Sequence, residues 1–534
     1  MNDRIRRIGA ADLKAQLHDG GEIALLDPRE EVPFDARHLL MAACVPLGRF
    51  ELLIGDLVPR RSARAVWCDD GDGLADEAAA RMTALGYSDV SVLDGGVAAW
   101  EAAGYRVYSG VHVPSKAFAE VVEHEAETPY IDAQALKGLI DGKADIAIYD
   151  TRSYEEYHAN SIPHAISVPG AEIVYRFKDL TPSPDTMVVV NCGGRTRSII
   201  GAQALINAGV PNKVVSLKNG TQDWHLAGYE GIEGATLRPP KVSGAGLAAA
   251  QEGAARVTAL CGVREIDKAT LDAWRAESEE RSLYILDVRT PEEYEAGHIA
   301  GIKNIAGGQL VQETDAHVAT WGARVVLVDD NGVRATMTAS WLKQMGWDVA
   351  TIAMNALGGD RVSGPYRPTI LGLDAARAKV DHIEAAALSD RLQAGAVQVV
   401  DLDWSRSYYD GHIPGAWFAL RSRLSQDLAK LPPAEAIVMT SPGGVLAELA
   451  AADLAGGDTP VMALAGGTRA WAAAGLPLEQ GPTHMASAAD DIRLKAREMG
   501  KDVEQAMRDY LTWEINLVND MAEDDDHRFT VVKP

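Results

Sequence analysis

Cysteine is scarce in this chain: four residues in 534, namely Cys44, Cys68, Cys192 and Cys261. Their wide separation offers neither a disulfide framework nor metal-ligand spacing, so no stapled scaffold and no zinc centre is expected. Positive charge is in deficit, with 51 Lys and Arg against 76 Asp and Glu and a formal net charge of −25. That balance argues against nucleic acid or an anionic membrane as a partner. Long apolar runs are missing. No segment approaches a membrane span, and Met1-Asn2-Asp3-Arg4-Ile5-Arg6-Arg7 leads into no apolar core of a secretion signal. What remains is 47% hydrophobic and 24% charged, ordinary for a globular protein, and the cytoplasm is the expected compartment. The length exceeds what one core serves, and about three to five domains are expected.

One cysteine stands in informative surroundings. Asn191-Cys192-Gly193-Gly194-Arg195-Thr196-Arg197-Ser198 follows the apolar run Met187-Val188-Val189-Val190, a buried strand, and precedes Ile199, Ile200, Ala204 and Leu205 at helical spacing. A thiol between a strand end and a helix start faces unpaired backbone N–H groups and the positive end of the helix dipole. Two glycines let the backbone curl, and Arg195 and Arg197 add positive charge. Such surroundings favour thiolate, so Cys192 is expected to be a nucleophile near neutral pH, set in a cup for an anion.

The chain also repeats itself. A strand ending in Asp occurs four times: Leu25-Leu26-Asp27-Pro28-Arg29, Ile148-Tyr149-Asp150-Thr151-Arg152, Ile285-Leu286-Asp287-Val288-Arg289 and Val399-Val400-Asp401-Leu402-Asp403. An acidic helix start follows, then a turn of the type Gly297-His298-Ile299-Ala300-Gly301 or Gly411-His412-Ile413-Pro414-Gly415. From Asp27 to Cys68, Asp150 to Cys192, Asp287 to Asp329 and Asp401 to Ser441 the spacing is 41, 42, 42 and 40 positions. Gly-rich turns before Trp100, Trp224 and Trp471 close three copies; the third copy closes around Gly358-Gly359. Short β-branched strands alternate with amphipathic helices, which predicts an α/β fold with a parallel sheet covered on both faces in each copy. The expected units are 1–112, 125–235, 260–365 and 382–480, with linkers near 112–125, 235–260 and 365–382. Residues 483–534 form a helical, acidic tail. Within it Ile492, Leu494, Ala496, Met499, Val503, Met507, Leu511, Ile515 and Val518 trace an apolar stripe over 486–520, packed on a neighbouring domain, and Glu523 to Asp526 are read as solvated.

The ordered set Asp-x-Arg, Glu-Glu-Tyr, Gly-His-Ile-Pro-Gly, Cys-x-x-x-x-Arg and Gly-Gly-x-x-x-Trp resembles the rhodanese domain, four times over residues 1 to about 480. The resemblance implies a central parallel sheet flanked by helices in each unit and, where the loop cysteine is present, sulfur transfer through a persulfide. The six-residue loop from Cys192 to Arg197 is similar to the sulfurtransferase form, whereas dual-specificity phosphatases carry a loop one residue longer.

On that footing, the Cys192 thiolate attacks the outer sulfur of thiosulfate or a similar donor, and the backbone N–H groups of Gly193, Gly194, Arg195, Thr196, Arg197 and Ser198 ring the resulting anionic sulfur. Cyanide or a thiol then removes it. No cofactor and no metal is required. Arg195 and Arg197 are candidates to steer the donor, and Asp150 and Arg152 are expected as a supporting scaffold pair. Glu172 and Arg176 are candidates to face the pocket.

The other copies differ at the decisive position: Asp329 replaces the cysteine in the third and Ser441, beside Thr440, in the fourth. Cys68 is followed by Asp69, Asp70 and Asp72, which raise its pKa and repel anionic donors. These three copies are expected to be inactive walls. Cys44 is read as a buried strand residue, Cys261 as a remote candidate for a resolving thiol, His298 and His412 as structural, and Trp224 as packing. Two-domain rhodaneses pair an inactive with an active copy, so the first unit is expected to pair with the second. The alternatives are a sulfur-relay or docking scaffold loaded by a sulfur-carrying protein, and a mercaptopyruvate-type sulfurtransferase.

Overall fold

The computed structural model describes residues 5–181 and 183–534; the first residues of the expected unit 1–112, with its start Met1-Asn2-Asp3-Arg4, and Pro182 in the second lie outside them. In the second repeat the strands run Tyr130–Ile131, Val214–Leu217, Met187–Asn191, Ile146–Asp150, Ala165–Ser167 across the sheet, all parallel. Burial on both faces explains why Met187 to Val190 reads as a continuous apolar run instead of an alternating one. The third and fourth repeats keep this strand order around Arg324–Asp329 and Ala436–Thr440. The first keeps it around Ala65–Trp67 and takes one strand more, Thr320–Trp321 from the third repeat, laid antiparallel on Ile23–Asp27.

The recurring motifs are explained by recurring bonds. Asp27, Asp150 and Asp287 each accept from the arginine two residues on, Arg29, Arg152 and Arg289, through Nε at 2.9, 2.9 and 3.0 Å. In the fourth repeat the arginine is Asp403, and burial pushes the Asp401 carboxyl up to about 7. His298 and His412 stack on Tyr294 and Tyr408 with ring centres 3.7 Å apart and turn Nδ1 to the same tyrosine's carbonyl, which is a structural role. Trp100, Trp224 and Trp471 donate Nε1–H to the carbonyls of Arg106, Glu230 and Pro477 at 2.9, 2.9 and 2.8 Å.

The stretches read as linkers carry helices. α1 (Val113–Ala126) lies at the first boundary, most of its side chains buried. After α2 (Thr196–Asn207), which follows the Cys192 loop, α3 (Gly244–Cys261) occupies the second. The Ser243 hydroxyl caps α3, and its small residues let it lie against Ala208 and the helix Glu172–Leu180 on one side and α4 (Val333–Gln344) on the other. A stretch rich in Ala and Gly reads as flexible, yet it is what two helices need in order to approach closely. The third boundary carries the short helix Leu373–Arg377.

The pairing of units also departs from expectation. The second repeat packs on the third, where Gly170 and Gly308 meet so closely that a Cβ on Gly308 would stand 2.9 Å from the Gly170 nitrogen. The first repeat packs on the fourth at the corresponding place, with Arg421 bonded to Glu51 at 2.5 and 3.0 Å and Ser422 to Glu30 at 2.9 Å. The tail is helical later than its stripe suggested: α5 spans Val503–Glu523, Ile515 is exposed, and Met507, Leu511, Glu514, Leu517 and Met521 form the buried face. The acidic end is solvated only in part: Glu523 and Asp525 are exposed as expected, whereas Asp524 is half-buried and Asp526 buried, and the cluster is tied down by partners. Lys14 binds Asp525 and Asp526 at 2.5 and 2.7 Å, Tyr108 binds Asp524, and Arg106 binds Asp520 and Glu523. Among the described residues no helix is long and apolar enough to cross a membrane.

Candidate active site

Cys192 sits at the end of the strand Met187–Asn191, where the chain turns through Gly193 and Gly194 into α2. Gly220 (φ +57°) closes the loop from behind. A Cβ there would stand 2.3 Å from the Cys192 carbonyl oxygen, so no other residue fits. The sulfur donates toward the Ser198 hydroxyl at 3.4 Å, and the Ser198 N–H points at the sulfur. Among the described residues, the N–H groups from Gly193 to Arg197 meet no acceptor on the protein. Their bowl is open.

The corresponding loops of the first and third repeats fill their own bowls. In the first repeat the Asp69 carboxylate accepts from the Gly71 and Ala75 N–H groups at 3.0 and 2.9 Å. In the third, Asp329 accepts from Gly332 and Arg334 at 2.6 and 2.9 Å. In the fourth, among the described residues the Ser441 hydroxyl accepts only from Ala447, at 3.2 Å, as the Cys192 sulfur does from Ser198, and a hydroxyl stands where the thiol would be. Cys68 is fully buried, and burial together with the nearby Asp27 drives its thiol well up.

The arginines of the Cys192 loop are already partnered. Arg195 turns to α1, bonding Glu120 through Nε and Nη2 at 2.7 and 2.8 Å, Glu123, and Asn219 at 3.0 Å, so its guanidinium does not stand free for a donor. Arg197 holds Glu156 at 2.6 and 3.1 Å and Gln309 of the third repeat at 3.3 Å. Burial works against its charge, and Glu156 more than restores it. Asp150 and Arg152 pair as a scaffold, with the Arg152 side chain lying under Gly193. Glu172 and Arg176 do not face the bowl. They bond each other at 2.6 Å, and Glu172 reaches across to Arg334. Cys261 ends α3 and receives the Gln344 amide, and Cys44 is half-buried in the strand Ala43–Cys44.

Much of the site comes from outside the repeat. α5 lies over the loop: the Thr196 hydroxyl donates to Glu514 Oε1 at 2.9 Å, and Glu514, Tyr510 and Gln222 crowd the space where Gly194 lacks a side chain. Cys192 is 2% exposed. The segment before α5 brings cations: Lys495 binds Glu156 at 3.0 Å, and Arg497 donates to the Thr221 carbonyl at 2.9 Å beside the charge of Arg152. α1 adds Lys116, whose ammonium burial pulls down to about 8. No local motif marks these residues. One signal did exist: Glu514 occupies a position of the buried stripe Met507, Leu511, Leu517, Met521, and a carboxylate in an apolar register calls for a reason.

Burial corrects the thiolate expectation. It pushes the Cys192 thiol up, Arg197 and Ser198 pull it down, and Glu514 adds to the rise. The net direction is upward, so in this closed form the group rests as a thiol. The ultraviolet thiolate signal lost in Cys192→Ser is therefore expected to titrate above the ordinary thiol value of about 8.5; a signal already complete at neutral pH contradicts it. The cover depends on Gly110 (φ +102°), where a Cβ would stand 2.3 Å from the Trp513 ring of α5. Gly110→Ala is expected to cost about 1–3 kcal/mol in backbone strain and to speed Cys192 alkylation by loosening α5. An unchanged alkylation rate would show that α5 does not guard the thiol.

His18, Asp525 and Asp526 cluster at metal-ligand distances, yet Lys14 is already bonded to both carboxylates and supplies the cation.

A family model described as the rhodanese-like domain matches residues 9–103, 132–227, 269–354 and 384–474. A crystal structure of thiosulfate sulfurtransferase from Pseudomonas aeruginosa is 45% identical, with a TM-score of 0.94, covering 99% of this chain and all of that one. Among curated relatives, the thiosulfate sulfurtransferase of Azotobacter vinelandii is 27% identical over 175 residues, 29% of this chain. An HTH-type transcriptional regulator of Mycobacterium tuberculosis is 34% identical over 93 residues, 17% of this chain. The matched stretches span 64% and 40% of those two relatives. Model and structure agree over the whole array, and the chain belongs to the rhodanese family, with four tandem rhodanese-like domains and a C-terminal helix.

Proposed function

We propose that the protein is a thiosulfate sulfurtransferase that carries sulfane sulfur on Cys192. One observation carries the reading: among the described residues the N–H groups from Gly193 to Arg197, beside a cysteine, meet no protein acceptor, while in the first and third repeats a loop carboxylate takes the corresponding groups and in the fourth Ser441 stands in the place of the thiol. An anionic persulfide sulfur is what such preorganised donors stabilise. Cys192 attacks the outer sulfur of thiosulfate, sulfite leaves with the electron pair of the broken S–S bond, and the persulfide passes its outer sulfur to cyanide or a thiol. Arg497, which pairs with no carboxylate among the described residues and lies beside Arg152, supports an anionic donor. The cover of α5 over Cys192 favours a small-molecule donor over a sulfur-carrying protein. The four unpaired cysteines fit a reducing compartment, the cytoplasm.

The test is intact mass after incubation with thiosulfate. Wild type is expected to gain one sulfur atom, to lose it to cyanide, and Cys192→Ala to gain none. No uptake from any sulfane donor would sink the proposal. Uptake from mercaptopyruvate and not from thiosulfate would keep the transfer and change the donor.

A further inference from the structure

The bowl that awaits an anion has a carboxylate at its rim. Glu514 Oε1 accepts the Thr196 hydroxyl at 2.9 Å, and a Cβ on Gly194 would stand 3.1 Å from Oε2. Glu514 is 1% exposed; the Tyr510 hydroxyl stands near enough to favour its charge, yet among the described residues its buried Oε2 meets no donor in hydrogen-bond geometry. A buried acceptor without a donor calls for an explanation. An ionised carboxylate merely repelling thiosulfate would be a liability, and a packing residue at this register would be apolar like its neighbours on α5. The loop chemistry meanwhile leaves a proton unplaced: Cys192 rests as a thiol, and it must lose that proton to attack.

We propose that Glu514, supplied by the C-terminal helix and not by the repeat, receives the Cys192 proton as sulfur is loaded and returns it when sulfur leaves. This rests on the sulfurtransferase reading. In loading, the Cys192 sulfur bonds to the outer sulfur of thiosulfate, the donor's S–S bond breaks, sulfite departs with that electron pair, and the thiol proton moves to the Glu514 carboxylate. The products are a Cys192 persulfide anion, sulfite dianion and neutral Glu514, with total charge conserved. The bowl then faces its anionic sulfur without a negative neighbour. In unloading to cyanide, the outer sulfur leaves as thiocyanate, and Cys192 takes the proton back from Glu514. A thiol acceptor reacts as its thiolate: it takes the outer sulfur and leaves as a persulfide anion, and Cys192 again takes the proton back from Glu514.

The surroundings suit the exchange. Burial disfavours the ionised carboxylate and sets the net direction upward, whereas Lys116 of α1, the Thr196 hydroxyl, Arg195 of the loop and the Tyr510 hydroxyl favour it. Glu120, paired with Arg195, adds negative charge, and Tyr510 and Arg493 stand on the tail side. Burial thus raises the proton affinity of the Glu514 carboxylate, which makes it a stronger base for the thiol proton.

Glu514→Gln keeps the acceptor for Thr196 and removes the base. Single-turnover persulfide formation is followed by mass across pH in the full chain. Below the thiol's own titration, loading is expected to fall about 10²-fold, and the lost rate is expected to return as the pH rises and the thiol ionises unaided. Glu514→Asp is expected to fall between the two with the wild-type profile shape. Loading by Glu514→Gln at the wild-type rate and profile overturns the assignment, as does a loss of equal size at every pH, which marks a structural role. Faster loading also overturns it and makes Glu514 a repelling gate. A wild type that takes up no sulfur overturns the sulfurtransferase reading itself, and this assignment with it.

Discussion

Cys192→Ser is expected to lower thiosulfate:cyanide turnover by more than about 10⁴-fold, the scale seen when a covalent nucleophile is removed, with the fold unchanged. A hydroxyl in the same place is a poor nucleophile toward divalent sulfur and forms no persulfide, and the bowl alone cannot hold sulfur between two half-reactions. The same measurement on Cys68→Ser is expected to return wild-type turnover. Cys68 is sealed, its thiol is pushed well up by burial and Asp27, and Asp69 holds the N–H groups that a bound sulfur needs. Turnover that survives in Cys192→Ser and disappears in Cys68→Ser would move the chemistry to the first repeat.

The four degenerate and intact loops share one physical problem, which is what satisfies a ring of main-chain donors. Asp69 and Asp329 solve it with a carboxylate from within the loop, the Ser441 hydroxyl takes only the Ala447 N–H among the described residues, and the Cys192 loop leaves the ring to a ligand. The contrast was legible in part: an aspartate at the nucleophile position announces a loop without thiol chemistry, although nothing along the chain says that the same aspartate binds the amides.

Strands, loop and repeat were legible because they are local. A β-branched run bounded by Asp and Cys makes a buried strand in almost any context, and the Asp-x-Arg pair closes on itself two residues apart. What escaped notice depends on distance along the chain. Arg195 and Arg197 look like free cations beside a nucleophile, and only the fold brings Glu120 and Glu156 to them. Glu523 to Asp526 look like a wet terminus, and only the fold brings Lys14, Tyr108 and Arg106. Residues 244–261, small and weakly amphipathic, read as a linker because periodicity reports an apolar stripe and not a close helix crossing. The thiolate expectation failed for the same reason. It weighed the helix dipole and two arginines, and could not weigh a helix from more than three hundred residues downstream lying over the sulfur.

Arg334→Met is expected to destabilise the contact between the second and third repeats by about 3–5 kcal/mol, the cost of leaving buried charge unpaired. Arg334 is fully buried and holds four carboxylates: Glu172 of the second repeat at 2.8 Å, Glu293, Asp330 at 2.7 Å, and Asp329 at 3.8 Å. Methionine fills much of the volume but leaves Glu172 with Arg176 alone and Asp329 without a cation, in surroundings that already push the Asp329 carboxyl up. An array of this size does not unfold in one step, so the measurement is hydrogen exchange in Met187–Asn191 and Arg324–Asp329, the central strands on either side. Protection is expected to drop in both together, and less in Ala436–Thr440. The double variant Arg334→Met, Glu172→Gln is expected to recover part of the loss, since the stranded charge is then removed as well. A loss under about 1 kcal/mol, the range of exposed ion pairs, would sink the claim that this arginine joins the two repeats. The contact bears on the site through Gln309, which reaches from the third repeat to Arg197. Turnover should therefore fall in Arg334→Met, with the Gln309–Arg197 contact loosened, even where the second repeat keeps its sheet.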